Sequence, residues 1–155
     1  NMCTAYYNAK DYTNTMAFAQ KYIAAYPEKS FGYSYNVRAA KALDTTSNPG
    51  IAVEPLLLLN TFLSKDLEKN KTAMVNNYYY IMTYYVDRAK DYKKALEICD
   101  KILELIPGDP DMTKIHNTLT DRVNRPTPPA KPTPPAKPAT GAPKSGTTAT
   151  PKSPK

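Results

Sequence analysis

Residues 91–107 read DYKKALEICDKILELIP. Tyr92, Ala95, Leu96, Cys99, Ile102, Leu103 and Ile106 fall at i, i+3, i+4, i+7 spacing, which places them on one face of an amphipathic helix closed by Pro107. The start of this run, Ala89-Lys90-Asp91-Tyr92, occurs eighty residues earlier as Ala9-Lys10-Asp11-Tyr12. The earlier copy leads into DYTNTMAFAQKYIAAYP, where Tyr12, Thr15, Met16, Ala19, Tyr22, Ile23 and Tyr26 hold the same offsets and Pro27 comes after the same interval. Two equivalent helices at a fixed separation signal an internal repeat.

Upstream of the later copy, Asn76 to Ala89 (NNYYYIMTYYVDRA) reads as a second helix with Tyr79, Met82, Thr83 and Val86 on its inward stripe, so the unit is helix, short turn, helix. A middle unit lies between the copies. Its first helix is Ser30 to Leu43, with Tyr33, Val37 and Ala40 inward, and its second is Ile51 to Leu63. Asn48-Pro49-Gly50 is turn chemistry, and Pro55 belongs in the first turn of a helix that starts near Ile51. After Pro107, Asp109 reads as an N-cap and Pro110 as the first helical residue. A terminal capping helix is expected over 110–123, with Met112, Ile115, Leu119 and Val123 as a thin apolar stripe.

Composition divides the chain near Arg125. From there to Lys155 stand ten of the fifteen prolines and six basic residues, with no acidic residue and no Leu, Ile, Val, Met or aromatic side chain. Such a segment cannot bury a core, and 125–155 is expected to be a disordered tail of polyproline II character, with PTPPAK repeated at 126–131 and 132–137. Residues 1–124 carry fifteen Lys/Arg against fourteen Asp/Glu, so six of the seven net positive charges belong to the tail. A solvated spacer is its plainest role. A ligand for a proline-recognising domain, or a basic strip meeting an anionic polymer or membrane surface, is the sharper one. Specific nucleic-acid binding is disfavoured, because no aromatic residue interleaves the lysines to stack on bases.

The helix, turn, helix unit with these residues resembles the tetratricopeptide repeat. Against its pattern W-x2-L-G-x2-Y, A-x3-F, P, Tyr79 stands for Trp, Met82 for Leu, Thr83 for Gly, Val86 for Tyr and Cys99 for Phe, while Ala95 and Pro107 match. The resemblance implies an all-α fold, an α-solenoid of antiparallel helix pairs, with repeats over about 1–29, 30–69 and 70–108. Asn1 to Ala9 would be the end of a first helix that starts upstream. Two ordinary repeats of about 34 residues would separate the AKDY copies by about 68, so roughly twelve extra residues are assigned to the loop 44–50 and the Lys-rich stretch 64–71. The segment FGYSYNVRAAKALDTTSNPGIAVEPL, residues 31–56, is similar to tetratricopeptide proteins of Bacteroidetes-type bacteria, which implies a cell-envelope or periplasmic location.

The family also implies a concave groove lined by first helices and open to a peptide or helix of another protein. Residues on the stripe beside the inward one are Phe31, Ser34, Arg38, Lys41, Asn77, Tyr80, Tyr84, Asp87 and Arg88, and these are the expected partner contacts. Tyr80 and Tyr84 also read as gap fillers between helices. The carboxylate clamp of chaperone-binding members is absent, since Ser34, Arg38, Asn77 and Ile81 occupy the comparable places.

Chemistry is sparse. Cys3 and Cys99 have no paired spacing, Cys99 reads as a core hydrophobe, and His116 has no Cys or second His nearby, so no metal, disulfide or cofactor is expected. No GxSxG, HExxH, P-loop or GxGxxG is present, and no catalytic residue is nominated. The function expected is a non-catalytic interaction scaffold. The alternatives are an assembly subunit stacking through its repeat ends and a non-catalytic part of a larger enzyme.

Overall fold

The computed structural model describes residues 1–125, so the expectation of a disordered tail falls outside the described residues. Seven α-helices follow in order: α1 Met2–Asn8, α2 Tyr12–Ala25, α3 Ser30–Leu43, α4 Val53–Leu63, α5 Leu67–Thr83, α6 Tyr92–Leu105 and α7 Pro110–Asn124. A 3-10 turn, Ser64–Asp66, precedes α5, and a π-helical turn, Tyr84–Arg88, continues it. No strand is present among the described residues, so the class is all-α. Each helix packs on the next in sequence, and α1 also lies against α3.

The repeated tetrapeptide has a repeated structure. Lys10 and Lys90 both take positive φ, 59° and 55°, which ends the preceding helix. Asp11 and Asp91 then cap the next one, each carboxylate accepting a backbone N–H three residues on, from Asn14 and from Lys94, at 3.1 Å. The two helices also end alike, with the Tyr26 and Ile106 amides donating to Tyr22 and Ile102 carbonyls. A lysine in the left-handed region is strained by about 1 kcal/mol relative to glycine. Lys90→Gly is therefore expected to stabilise the protein by up to about that amount, read as a higher denaturant midpoint; a lower midpoint would mean that the lysine side chain supports the turn.

The main core gathers Val37 and Ala40 of α3, Leu56 of α4, Ile81 and Met82 of α5, Ala95, Ile98, Cys99 and Ile102 of α6, and Met112 and Leu119 of α7. Tyr33 is buried as expected, and its hydroxyl donates to the Pro27 carbonyl at 3.0 Å. The N-terminal helices pack through rings instead: Tyr6 on Phe18, Tyr22 on Phe31, and Tyr7 on Tyr35. Gly32 lets α2 and α3 approach closely, since a Cβ there would lie 2.8 Å from Ile23. Cys99 is fully buried and burial pushes its thiol up to about 11, so it is chemically inert in the folded state.

Several expectations are corrected. The Lys-rich stretch 64–71, assigned part of the extra length, is largely helical: Asp66 caps a helix at Leu67 by accepting from the Lys69 amide, and the residues that follow are good helix formers. The helix expected to start at Asn76 therefore starts nine residues earlier, ahead of the boundary expected at 70. Its buried stripe runs through Met74, Ile81 and Met82 with Val75, Tyr78 and Tyr85 half-buried, so Tyr79 and Thr83, expected inward, are exposed. The second helix of the middle unit starts at Val53 rather than Ile51, which leaves Pro55 in its first turn. Tyr26 and Val123, at the ends of their stripes, are exposed.

The link between α3 and α4 is held by Asp44, whose carboxylate accepts from the Gly50 N–H at 3.0 Å. Gly50 has φ +84°, and an added Cβ would lie 2.4 Å from the Tyr84 ring. Gly50→Ala combines left-handed strain with that clash and is expected to cost about 2 kcal/mol. Rescue by Tyr84→Ala in the double variant would show that the ring is the cause. Equal loss in both backgrounds would assign the cost to the backbone alone.

Candidate partner-binding surface

The nine expected contacts divide by what their side chains already do. Phe31 is half-buried in the ring stack between α2 and α3. Asn77 donates to the Asn60 side-chain oxygen at 2.8 Å, and Asn60 in turn donates to the Met74 carbonyl at 3.2 Å, which ties α4 to α5. Tyr80 donates to Asp44 at 2.9 Å. Arg88 forms an ion pair with the same carboxylate and donates to the Thr45 carbonyl. Tyr84 packs on Gly50 and against Tyr85. These five residues serve the fold first, and the polar ends of Asn77, Tyr80 and Arg88 are engaged internally.

Asp44 is the centre of that arrangement, with a side chain 0% exposed. Burial pushes its carboxyl up, but the Gly50 N–H, the Tyr80 hydroxyl and the Arg88 guanidinium outweigh burial and hold its pKa below the ordinary value. Burial, reinforced by the hydrogen bond to Asp44, raises the Tyr80 phenol. The π-helical turn supplies Arg88 to this cluster. One wide turn at Tyr84–Arg88 shifts the helix register where its last side chains must reach the 44–50 loop.

Ser34, Arg38, Lys41 and Asp87 remain exposed. Arg38 lies over two rings, 4.5 Å from the centroid of Tyr7 and 5.1 Å from that of Tyr35. The Lys41 ammonium sits 4.7 Å over Tyr80, and burial lowers its pKa. A strip of alternating rings and cations thus runs from α1 across α3 to α5.

An exposed stripe of α5 that the sequence placed inward, through Tyr79 and Thr83, adjoins Tyr80 and Tyr84. Tyr79, 41% exposed, lines two neighbouring hollows. One, of about 400 Å³, is walled by Asn76, Thr83 and the outer surfaces of Tyr80, Tyr84 and Arg88. The other, of about 500 Å³, runs between Val86 and the α7 residues Lys114, Ile115, Thr118 and Arg122. Lys41 and Tyr80 connect α3 to the first hollow, and Tyr79 connects the first to the second. The signal that locates Tyr79 was present in Met74 and Val75, which set the buried face once the helix is extended back to Leu67.

Among the described residues no group of three or more His, Cys, Asp or Glu could hold a metal ion, and no helix is long and apolar enough to cross a membrane. His116 pairs with Asp100 at 2.9 Å across α6 and α7. No family model matches the chain, and neither a curated protein nor a solved structure matches it.

Proposed function

We propose that this protein is a non-catalytic scaffold of tetratricopeptide type, in which α1, α3, α5 and the capping helix α7 are the groove-lining helices of an α-solenoid. The groove takes a peptide or helix of a partner protein, and the setting is a bacterial cell envelope. The repeated AKDY turn, with its matched positive-φ lysines and aspartate caps, supports the repeat reading. The observation that carries the function is the exposed Tyr79 between two adjoining hollows. Exposed tyrosine gives large contact area and a directional hydroxyl for little conformational entropy.

Selection of linear peptides from a random display library against the full chain tests this reading. Enriched peptides are expected to compete with one another and to lose about tenfold in affinity, about 1.4 kcal/mol, on Tyr79→Ala with an unchanged thermal midpoint. Failure to enrich any peptide, or enriched peptides indifferent to Tyr79→Ala, would contradict it.

A second reading, assembly through a repeat end, is favoured by the hollow at the N-terminal end, where Met2, Phe18, Tyr22 and Tyr26 line about 360 Å³. Concentration-dependent sedimentation abolished by Tyr26→Lys would support it, and a monomer at all concentrations would count against it.

A further inference from the structure

Arg38 and Lys41 lie one turn apart on the exposed side of α3, and among the described residues neither has an acidic partner within ion-pairing distance. Both are nevertheless held in place. The Tyr7 and Tyr35 rings, edge to face at 5.7 Å, support Arg38, and Tyr35 is tethered to α1 by the Thr4 hydroxyl at 3.2 Å. The ring beneath Lys41 is fixed in turn by the bond from Tyr80 to Asp44. Rings that restrain a guanidinium leave its N–H edges open, so the ordering cost of binding is reduced before any ligand arrives. Burial removes part of the hydration of Lys41 and supplies no counter-charge, which is the condition under which an incoming anion stabilises a cation most.

We infer that Arg38 and Lys41 form an anion-reading element of the groove that selects partner segments bearing Asp or Glu side chains. The inference rests on the groove reading above. The surroundings favour carboxylates spaced among apolar side chains over a continuous phosphate backbone. Asp111 lines the hollow beyond together with Tyr79, Val86 and Ile115, and polyanion binding draws on many cations rather than two. Arg38 gives the bidentate contact and Lys41 the point charge.

Fluorescence anisotropy on the full chain tests the assignment with two labelled probes: a short peptide alternating Glu with Ser and Leu, and the same peptide with every Glu replaced by Gln. Because the basic tail is present in every variant, its contribution cancels. The Glu peptide is expected to bind about tenfold more tightly than the Gln peptide. Arg38→Gln and Lys41→Gln should each remove most of that difference, leave the Gln peptide unchanged, and flatten the dependence on salt. Arg38→Lys should recover part of the preference, which a purely structural role for the ring stack would not produce. Glu-peptide affinity unchanged in both Gln variants, or equal losses for both peptides, would overturn the inference. So would an oligonucleotide or an anionic lipid vesicle that binds more tightly than the Glu peptide and is lost in the same variants. If both peptides bind and weaken on Tyr79→Ala but ignore Arg38 and Lys41, the groove stands and the anion element falls. If neither binds and display enriches nothing, the groove reading itself falls.

Discussion

Leu56→Ala is expected to lower stability by about 2 to 5 kcal/mol and the thermal midpoint by roughly 8 to 20 °C. Leu56 is 0% exposed and stands in the core shared by α3, α4, α5 and α6. Removing its branched end leaves a cavity that packed helices on several sides cannot close. Leu58, two residues along the same helix, is 41% exposed, and Leu58→Ala should stay within about 0.5 kcal/mol. Thermal unfolding of both variants followed by circular dichroism checks the contrast. Similar losses for the two would mean that α4 is rotated from the position described.

Asp44→Ala is expected to cost about 3 kcal/mol, because it strands the Gly50 N–H, the Tyr80 hydroxyl and the Arg88 guanidinium at once. The loss has a pH signature. A carboxylate with a folded pKa below its unfolded value, about 3.9, contributes stability that is fully present above the unfolded pKa and is lost as pH falls through the folded one. The stability gap between the native protein and Asp44→Asn should therefore be constant above about pH 5 and narrow below about pH 4. Denaturant unfolding across that range measures it. A gap independent of pH would show that the charge of Asp44 contributes nothing.

Much of the fold was legible because pattern and capping agreed. The face of α6, the Asp109 cap with Pro110 behind it, the inward residues of α3 and the likeness of the two AKDY turns all follow from residue spacing and local hydrogen-bond chemistry. The face of α5 was not. In NNYYYIMTYY five tyrosines surround Ile81 and Met82, and rings are compatible with either side of a helix, so the phase depends on Met74 and Val75 in a stretch whose lysines resemble a loop.

The polar ties were also hidden from spacing. Tyr80 and Arg88 meet Asp44 across 36 and 44 residues, and Asn60 is buried with a side chain satisfied from α5. Such pairings depend on tertiary approach, which no local periodicity encodes. For the same reason the expected contact list set residues tied into the fold, Asn77, Tyr80 and Arg88, beside Arg38 and Lys41, whose charged ends lie over rings.

Site-specific photocrosslinking in the native cell tests the central claim most directly. A photoreactive residue at 79 or at 34 should give a discrete adduct with another protein, whereas one at Glu104, exposed on α6, should give none. Adducts at Glu104 with none at 79 or 34 would place the working surface on the opposite helices and contradict the account.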